Sequence, residues 1–453
     1  MTRRVVVTGL GSITAFGDDT QAFWRDCLAG RAAVAPVPDA WHRYASLRSR
    51  LWAPLQLPDF STWFSRVECA QHDPVTLLAV AAAASALEAA GVASEIADRR
   101  ANTRRAIGID AARTGVFVGT GVGGAHSFMV NHAYQVLADS RERLMALREQ
   151  LPDASLRAEV DAVLERMAHG PRFNPFVVSM LMPNAPAAYV AIKHGLRGIN
   201  AACAQACASG TVALGQAFLA IAQGRVDHAL AGGSEFLDDP HGSIFHGFDV
   251  CRALVRECDP PAAANRPFDA ARTGFLFAQG GAAMLFLESA EHAAARGAKP
   301  ICEVAGFAQS FDAHSMMNPE PQGLAMEAML RELLTDAGIA ARDVGYLNAH
   351  GTGTQSNDAC EAQVLERVFP DGVAINSTKS LLGHTIGASG AIEAVVSALS
   401  LRDQCLHPSL NLTDPVTDLD FVTRREARPL EYAISQSLAF GGHNAALLLK
   451  RAH

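Results

Sequence analysis

The sequence predicts an α/β protein, and three observations carry that prediction. Apolar runs of strand length alternate with helix-period segments from Arg4 to about Arg256, the same alternation begins again after Arg266-Pro267-Phe268-Asp269, and several runs end on glycine-flanked loops. With 453 residues and 49% apolar composition the chain can bury a large core, enough for two or three domains.

The first element is a strand. Arg3 and Arg4 precede an apolar run as in a secretory leader, but Thr8, Gly9 and Gly11 interrupt it after a few residues. Trp41 to Phe64 holds every tryptophan except Trp24 and is expected to be irregular. Leu77 to Gly91 is alanine-rich, yet it falls short of the roughly 18 residues of a membrane span and contains Glu88, so it reads as a buried helix. Gly119-Thr120-Gly121-Val122-Gly123-Gly124 has dinucleotide-fingerprint spacing with Asp139 downstream. No clear βαβ crossover follows, and a backbone turn beneath a substrate pocket explains the glycines better. Asp139 to Arg172 reads as a surface insertion of charged helices broken by Pro152.

Next comes Ala204-Gln205-Ala206-Cys207-Ala208-Ser209-Gly210. Tyr189 to Asn200 reads as a helix and a turn into an extended segment, and Gly210 to Ala222 carries Val212, Leu214, Phe218 and Ile221 at helical spacing. Cys207 therefore falls at a helix N-terminus, where unpaired N–H groups and the macrodipole are expected to lower the thiol pKa from about 8.5. A buried structural cysteine fits the same local pattern. Three downstream loops tip the balance toward chemistry. His350 follows the strand-like Val344 to Leu347, Lys379 and His384 follow Gly372 to Ile375, and Phe440-Gly441-Gly442-His443 follows Ile434 to Leu438.

Composition excludes several classes. A net charge of −8 offers no global basic field for nucleic acid. Nine cysteines without paired spacing support neither a disulfide framework nor a zinc site, and Cys203 and Cys207 have no histidine or acid beside them, so no metal is expected. The composition is that of a globular, cytoplasmic protein.

The motifs around Cys207, His350, Lys379/His384 and Phe440, together with Arg4 to Gly11, the glycine turn at 119–124 and Arg266-Pro267-Phe268-Asp269, resemble those of the β-ketoacyl-acyl-carrier-protein synthases, of ketosynthase I/II type in the thiolase superfamily. The resemblance covers nearly the whole chain. It implies a duplicated, five-layered α-β-α-β-α thiolase-like fold, with a first half over 1–258 bearing the nucleophile and a second over 259–453 bearing the histidine, lysine and gate loops.

It further implies a decarboxylative Claisen condensation without metal or redox cofactor, in fatty-acid or type II polyketide synthesis. Cys207 would hold an acyl thioester, and His350 and His384 would donate hydrogen bonds to a malonyl thioester carbonyl. The N–H groups of Cys207 and Phe440 would form the oxyanion hole, with Phe440 also the gate. Lys379 is expected near His350, paired with Glu361, with Asp358 in support. Thr352 and Thr354 would meet the pantetheine arm, and Val122, Met182 and Phe248 would line the acyl pocket. Arg252 and Arg256 would meet an acidic acyl carrier protein, unless they are simply solvated arginines on a helix. The expected partners are that carrier protein, its acyl and malonyl thioesters, and a second subunit, identical or related, with no nucleic acid and no membrane span.

Three positions depart from the family pattern: Ala439 replaces a glycine before the gate, and Gln279 and Thr273 replace acids. They point to a specialised pathway rather than housekeeping synthesis. Two other readings compete. A chain-length-factor-like subunit would typically lack the nucleophilic cysteine, and transfer between coenzyme A thioesters would not need the paired histidines with Lys379.

Overall fold

A computed structural model describes residues 3–168 and 173–453, so the last four residues of the expected insertion, 169–172, lie outside the described residues. Ten strands make its centre: β1 (Val5–Ile13), β2 (Thr114–Gly119), β3 (Asn200–Cys203), β4 (His228–Phe236), β5 (Gly280–Ser289), β6 (Cys302–Phe311), β7 (Val344–Asn348), β8 (Ala374–Asn376), β9 (Tyr432–Ala439) and β10 (His443–Arg451). Around them lie α1 (Pro74–Ala89), the pair α2 (Ala125–Gln150) and α3 (Ala154–Ala168), α4 (Ala185–His194), α5 (Ser209–Ala222), α6 (Ser243–Val250), α7 (Leu324–Ala337), α8 (Gln355–Val368) and α9 (Ser389–Asp403).

The strand order is β8-β7-β9-β10-β6-β1-β5-β4-β2-β3. Within each group of five the order is third, second, fourth, fifth, first, and in each the first three neighbours run parallel while the last two pair antiparallel. This is one topology used twice, although the two halves show no repeat legible in sequence. The groups meet only where Val5–Val7 pairs with Cys302–Val304. Strand β5 completes the first group, which therefore reaches past residue 258.

Five layers follow from the packing. Helix α1, apolar on every side, covers β1, β4 and β5 with α4 beside it; α5 and α9 lie between the two strand groups; α7, backed by α8, covers β6 and β10. A helix between two sheets has no solvent face, which is why α9 is buried from Ser389 to Leu401. Among the described residues, no helix is long and apolar enough to cross a membrane.

Two irregular regions acquire a role. The segment from Trp41 packs Trp41 on Trp52 (ring centroids 4.9 Å) and on Phe245 (5.4 Å), and this cluster continues to Cys207, Phe277 and Ile386. The tryptophan-rich segment is thus one apolar wall of the thiol's surroundings. The glycine turn after β2 does lead, through helices, to the parallel strand β3, so a crossover exists where the sequence showed none. A carboxylate nevertheless fills the turn: Glu235 accepts the N–H groups of Gly121 (2.6 Å) and Val122 (3.2 Å) and the Thr120 hydroxyl (3.1 Å). The N–H groups of the turn are therefore already spent and offer nothing to a second anion.

Candidate active site

The thiol stands on a strained elbow. Ala206, just before Cys207, has φ of +46°, a left-handed conformation uncommon for a residue with a Cβ. Ser209 holds it in place, its hydroxyl donating to the Ala206 carbonyl (2.7 Å) and accepting the Gln205 N–H (2.9 Å). The second half has its own elbow, with Ile386 at φ +49° and Gly387-Ala388-Ser389-Gly390 leading into α9. The two helix starts touch through glycines. A Cβ at Gly210 would lie 2.8 Å from the Ala391 nitrogen, and one at Gly390 would lie 2.0 Å from the Thr211 hydroxyl.

This contact delivers the second half's loops to the thiol. His384 Nε2 lies 3.1 Å from Cys207 Sγ, and its Nδ1 is 2.9 Å from the Ser389 hydroxyl. The His350 ring stands 5.4 Å from that of His384 at 84°, and its Nδ1 is 3.2 Å from Lys379 Nζ. The N–H groups of Cys207 and Phe440 both point at Sγ. Phe440 opens the turn between β9 and β10, where Gly441 and Gly442 take φ of +89° and +86°.

The expected partner of Lys379 is corrected. Its ammonium pairs with Glu393 on α9 (2.5 Å), both groups being buried, whereas Glu361 on α8 accepts the N–H groups of His350 (2.7 Å) and Gly351 (2.8 Å). Asp358, one turn earlier, accepts those of Thr352 (3.1 Å) and Gly353 (3.0 Å). The two α8 acids therefore fix the loop main chain. A sequence signal for Glu393 existed: it is the single charge in the run from Gly387 to Leu401, and a buried acid must find a partner.

Burial also reverses the expected thiol shift. Desolvation pushes Cys207 up to about 12, outweighing Lys379 and the two N–H groups that pull it down. Burial and then the Lys379 charge hold both histidines well below 6.5, so both imidazoles are neutral at pH 7. With Lys379 donating to His350 Nδ1, the proton of that neutral ring must sit on Nε2. The sulfur and two imidazole nitrogens lie within 4.8 Å of one another, a metal-like spacing, but the adjacent ammonium opposes a cation there.

Cys207, His350, His384, Thr352, Thr354 and Phe440 line one cavity of about 500 Å³. Phe248 stands behind it, 6.4 Å from the Phe440 ring. Val122 and Met182 are not part of that lining and are 42% and 44% exposed in this chain. Arg252 lies at the cavity mouth with φ of +58°, and Arg256 beyond it; both follow the end of α6, so neither is on a helix. Gln279 accepts the Leu55 N–H (2.7 Å) and donates to Asp238 (3.0 Å), a dual role that an ionised acid could not fill.

Residues 2–293 match the family model for the N-terminal domain of β-ketoacyl synthase, and 301–413 match that for its C-terminal domain. The chain belongs to the β-ketoacyl synthase family. It is 34% identical to 3-oxoacyl-[acyl-carrier-protein] synthase 2 of Vibrio cholerae, over 99% of both chains, and 35% identical to that of Vibrio harveyi with the same coverage. Among solved structures it resembles a β-ketoacyl synthase from Burkholderia phymatum (TM-score 0.82, 32% identity) and a type II polyketide ketosynthase in complex with its acyl-carrier protein (0.80, 27%), each over 100% of both chains. These neighbours give the duplicated layers their name, the thiolase-like fold of ketosynthases.

Two predictions arise from this geometry. Lys379 depresses the His350 pKa, and a ring with a lowered pKa stays neutral until the pH falls below that value. Lys379→Ala should therefore move the acid limb of malonyl decarboxylation to higher pH, read from rate–pH profiles of both proteins; an unmoved limb would contradict the coupling. Ala439 is the last residue of β9 before the gate turn and pairs with His443. Ala439→Gly should relax the hinge by up to about 1 kcal/mol of backbone preference and change condensation more than acyl loading. Stopped-flow loading compared with steady-state condensation tests this, and equal changes in both would make the alanine a packing difference only.

Proposed function

We propose that this synthase condenses an acyl group held on Cys207 with a malonyl group carried by an acyl carrier protein, releasing carbon dioxide and a β-ketoacyl-carrier protein. One observation carries the reading: two neutral imidazoles, only one of them bonded to the thiol, face the same cavity as the Cys207 sulfur. In loading, His384 Nε2 takes the thiol proton as sulfur attacks the acyl thioester and returns it to the departing pantetheine thiolate. The N–H groups of Cys207 and Phe440 hold the oxyanion. Between the two half-reactions the ring changes tautomer by exchange with solvent, losing the Nδ1 proton as Nε2 gains one, and the Ser389 hydroxyl then donates to Nδ1.

For the second substrate, His350 and His384 both present Nε2–H to the malonyl carbonyl oxygen. The electron pair of the breaking C–C bond moves to that oxygen as carbon dioxide leaves. The enolate carbon attacks the Cys207 thioester, sulfur departs as thiolate, and one proton from solvent restores the thiol. Thr352 and Thr354, whose hydroxyls are 3.0 Å apart at the cavity wall, suit the amides of a pantetheine arm. Val122, Met182 and Phe248 remain our choice for the acyl end, with Val122 and Met182 awaiting cover from a second subunit. Fatty-acid and polyketide pathways both supply such substrates. Nine free cysteines suit a reducing, cytoplasmic setting.

Purified protein given an acyl and a malonyl carrier thioester should form β-ketoacyl carrier protein and carbon dioxide in equal amounts, read by mass spectrometry and label release. Acyl exchange without carbon dioxide would sink the reading. The chain-length-factor alternative draws on another neighbour, a ketosynthase/chain length factor pair (TM-score 0.79, 26% identity), but the intact Cys207 cluster favours the active subunit.

A further inference from the structure

Ser389 opens α9 as Ser209 opens α5, but the two hydroxyls keep different company. Ser209 faces main-chain groups of fixed role: it accepts the Gln205 N–H (2.9 Å), and its proton can go only to the carbonyls of Ala206 (2.7 Å) and Thr120 (3.1 Å). Ser389 likewise accepts the N–H four residues earlier, that of Thr385 (3.2 Å). Its other two neighbours are the Thr385 hydroxyl (3.0 Å) and His384 Nδ1 (2.9 Å), and each of these can donate or accept. Among the described residues, neither has another hydrogen-bond partner. His384, Thr385 and Ser389 are all buried, so an unmet donor among them is costly.

Two arrangements satisfy these atoms. In one, Nδ1–H donates to Ser389 and the Ser389 proton points to Thr385; in the other, the Thr385 proton points to Ser389 and Ser389 donates to Nδ1. Ser389 keeps the same number of hydrogen bonds in both. The first leaves Nε2 bare, as the thiol proton requires, and the second puts the ring proton on Nε2, as the malonyl carbonyl requires. A carbonyl or a backbone N–H in place of Ser389 would hold only one of them.

We propose that Thr385 and Ser389 form a two-position hydroxyl switch that supports His384 in either tautomer, so that one imidazole serves both half-reactions. Both are positioning residues, acting through His384, and the inference rests on the proposed function. Thr385→Val keeps the shape and removes the hydroxyl, which leaves the Ser389 proton only Nδ1 to meet and biases the ring toward Nε2–H. Thr385→Ser keeps the hydroxyl and removes the methyl. Two rates are measured for each protein: loading of Cys207 from an acyl carrier thioester, and carbon dioxide release from a carboxyl-labelled malonyl carrier thioester by enzyme already loaded.

Thr385→Val should lower the ratio of loading to release by at least roughly fivefold, the scale for stranding one buried donor, while Thr385→Ser keeps the ratio within about twofold of the parent. The nitrogen-15 shifts of the His384 ring, assigned by difference against His384→Ala, should move toward the Nε2–H form in Thr385→Val alone. Equal falls in both rates for Thr385→Val overturn the switch, since a merely structural hydroxyl would act that way. So does a ratio that moves as far in Thr385→Ser, because shape would then be the cause. A parent protein that loads but releases no carbon dioxide would instead remove the proposed function, and the switch with it, before any variant is compared.

Discussion

Cys207→Ala is expected to abolish acyl loading and to lower condensation at least about 10⁴-fold, because no other thiol is held against His384, the group that takes its proton. The change removes one sulfur from a cluster of Trp41, Trp52, Phe245 and Phe277, so the fold should persist with a melting temperature close to that of the parent. Cys203, four residues earlier, is the natural competitor. It is buried, its thiol is pushed up to about 11 by desolvation, and it does not line the catalytic cavity. Intact-protein mass spectrometry followed by peptide mapping decides the matter, and an adduct on Cys203 would overturn the assignment.

His350→Ala should slow carbon dioxide release from the malonyl thioester by about a hundredfold or more, the scale for removing one preorganised donor, while acyl loading continues. The asymmetry comes from distance: His384 touches Sγ at 3.1 Å, whereas His350 bonds Lys379 instead. His384→Ala should therefore impair both half-reactions. Parallel assays of labelled carbon dioxide and of the acyl adduct separate them. Loss of loading in His350→Ala with normal gas release would contradict the division of labour.

Much of this centre was legible before any coordinates. Glycine-flanked loops at the ends of strand-like runs foretold where His350, His384 and Lys379 would be displayed, since chain ends of strands in layered α/β proteins converge. The partner of Lys379 was not legible. Glu361 and Glu393 are both buried acids, and only the facing of α8 and α9 decides which one meets the ammonium. The direction of the Cys207 shift was hidden for a similar reason: a helix start can be read locally, but the apolar wall that desolvates the sulfur comes from residues 41–52 and 245–277, far away in the chain. The duplication left only short common strings, such as Ala-Ser-Gly at 208–210 and 388–390 and Gly-Thr-Gly at 119–121 and 351–353, too short to show as a repeat.

Those two elbows record a history. A gene copied in tandem would have carried the same functional position twice, yet only one survives as a reactive group. At Gly387, the counterpart of Cys207, any side chain would begin 2.2 Å from the Gly121 nitrogen, and its N–H is spent on Glu235 (3.0 Å). One elbow carries the nucleophile while its twin is scaffold, with no space for a side chain. A saturation library should accordingly tolerate several small residues at 207 for folding and none but glycine at 387, so that two ancestral equivalents now obey opposite rules.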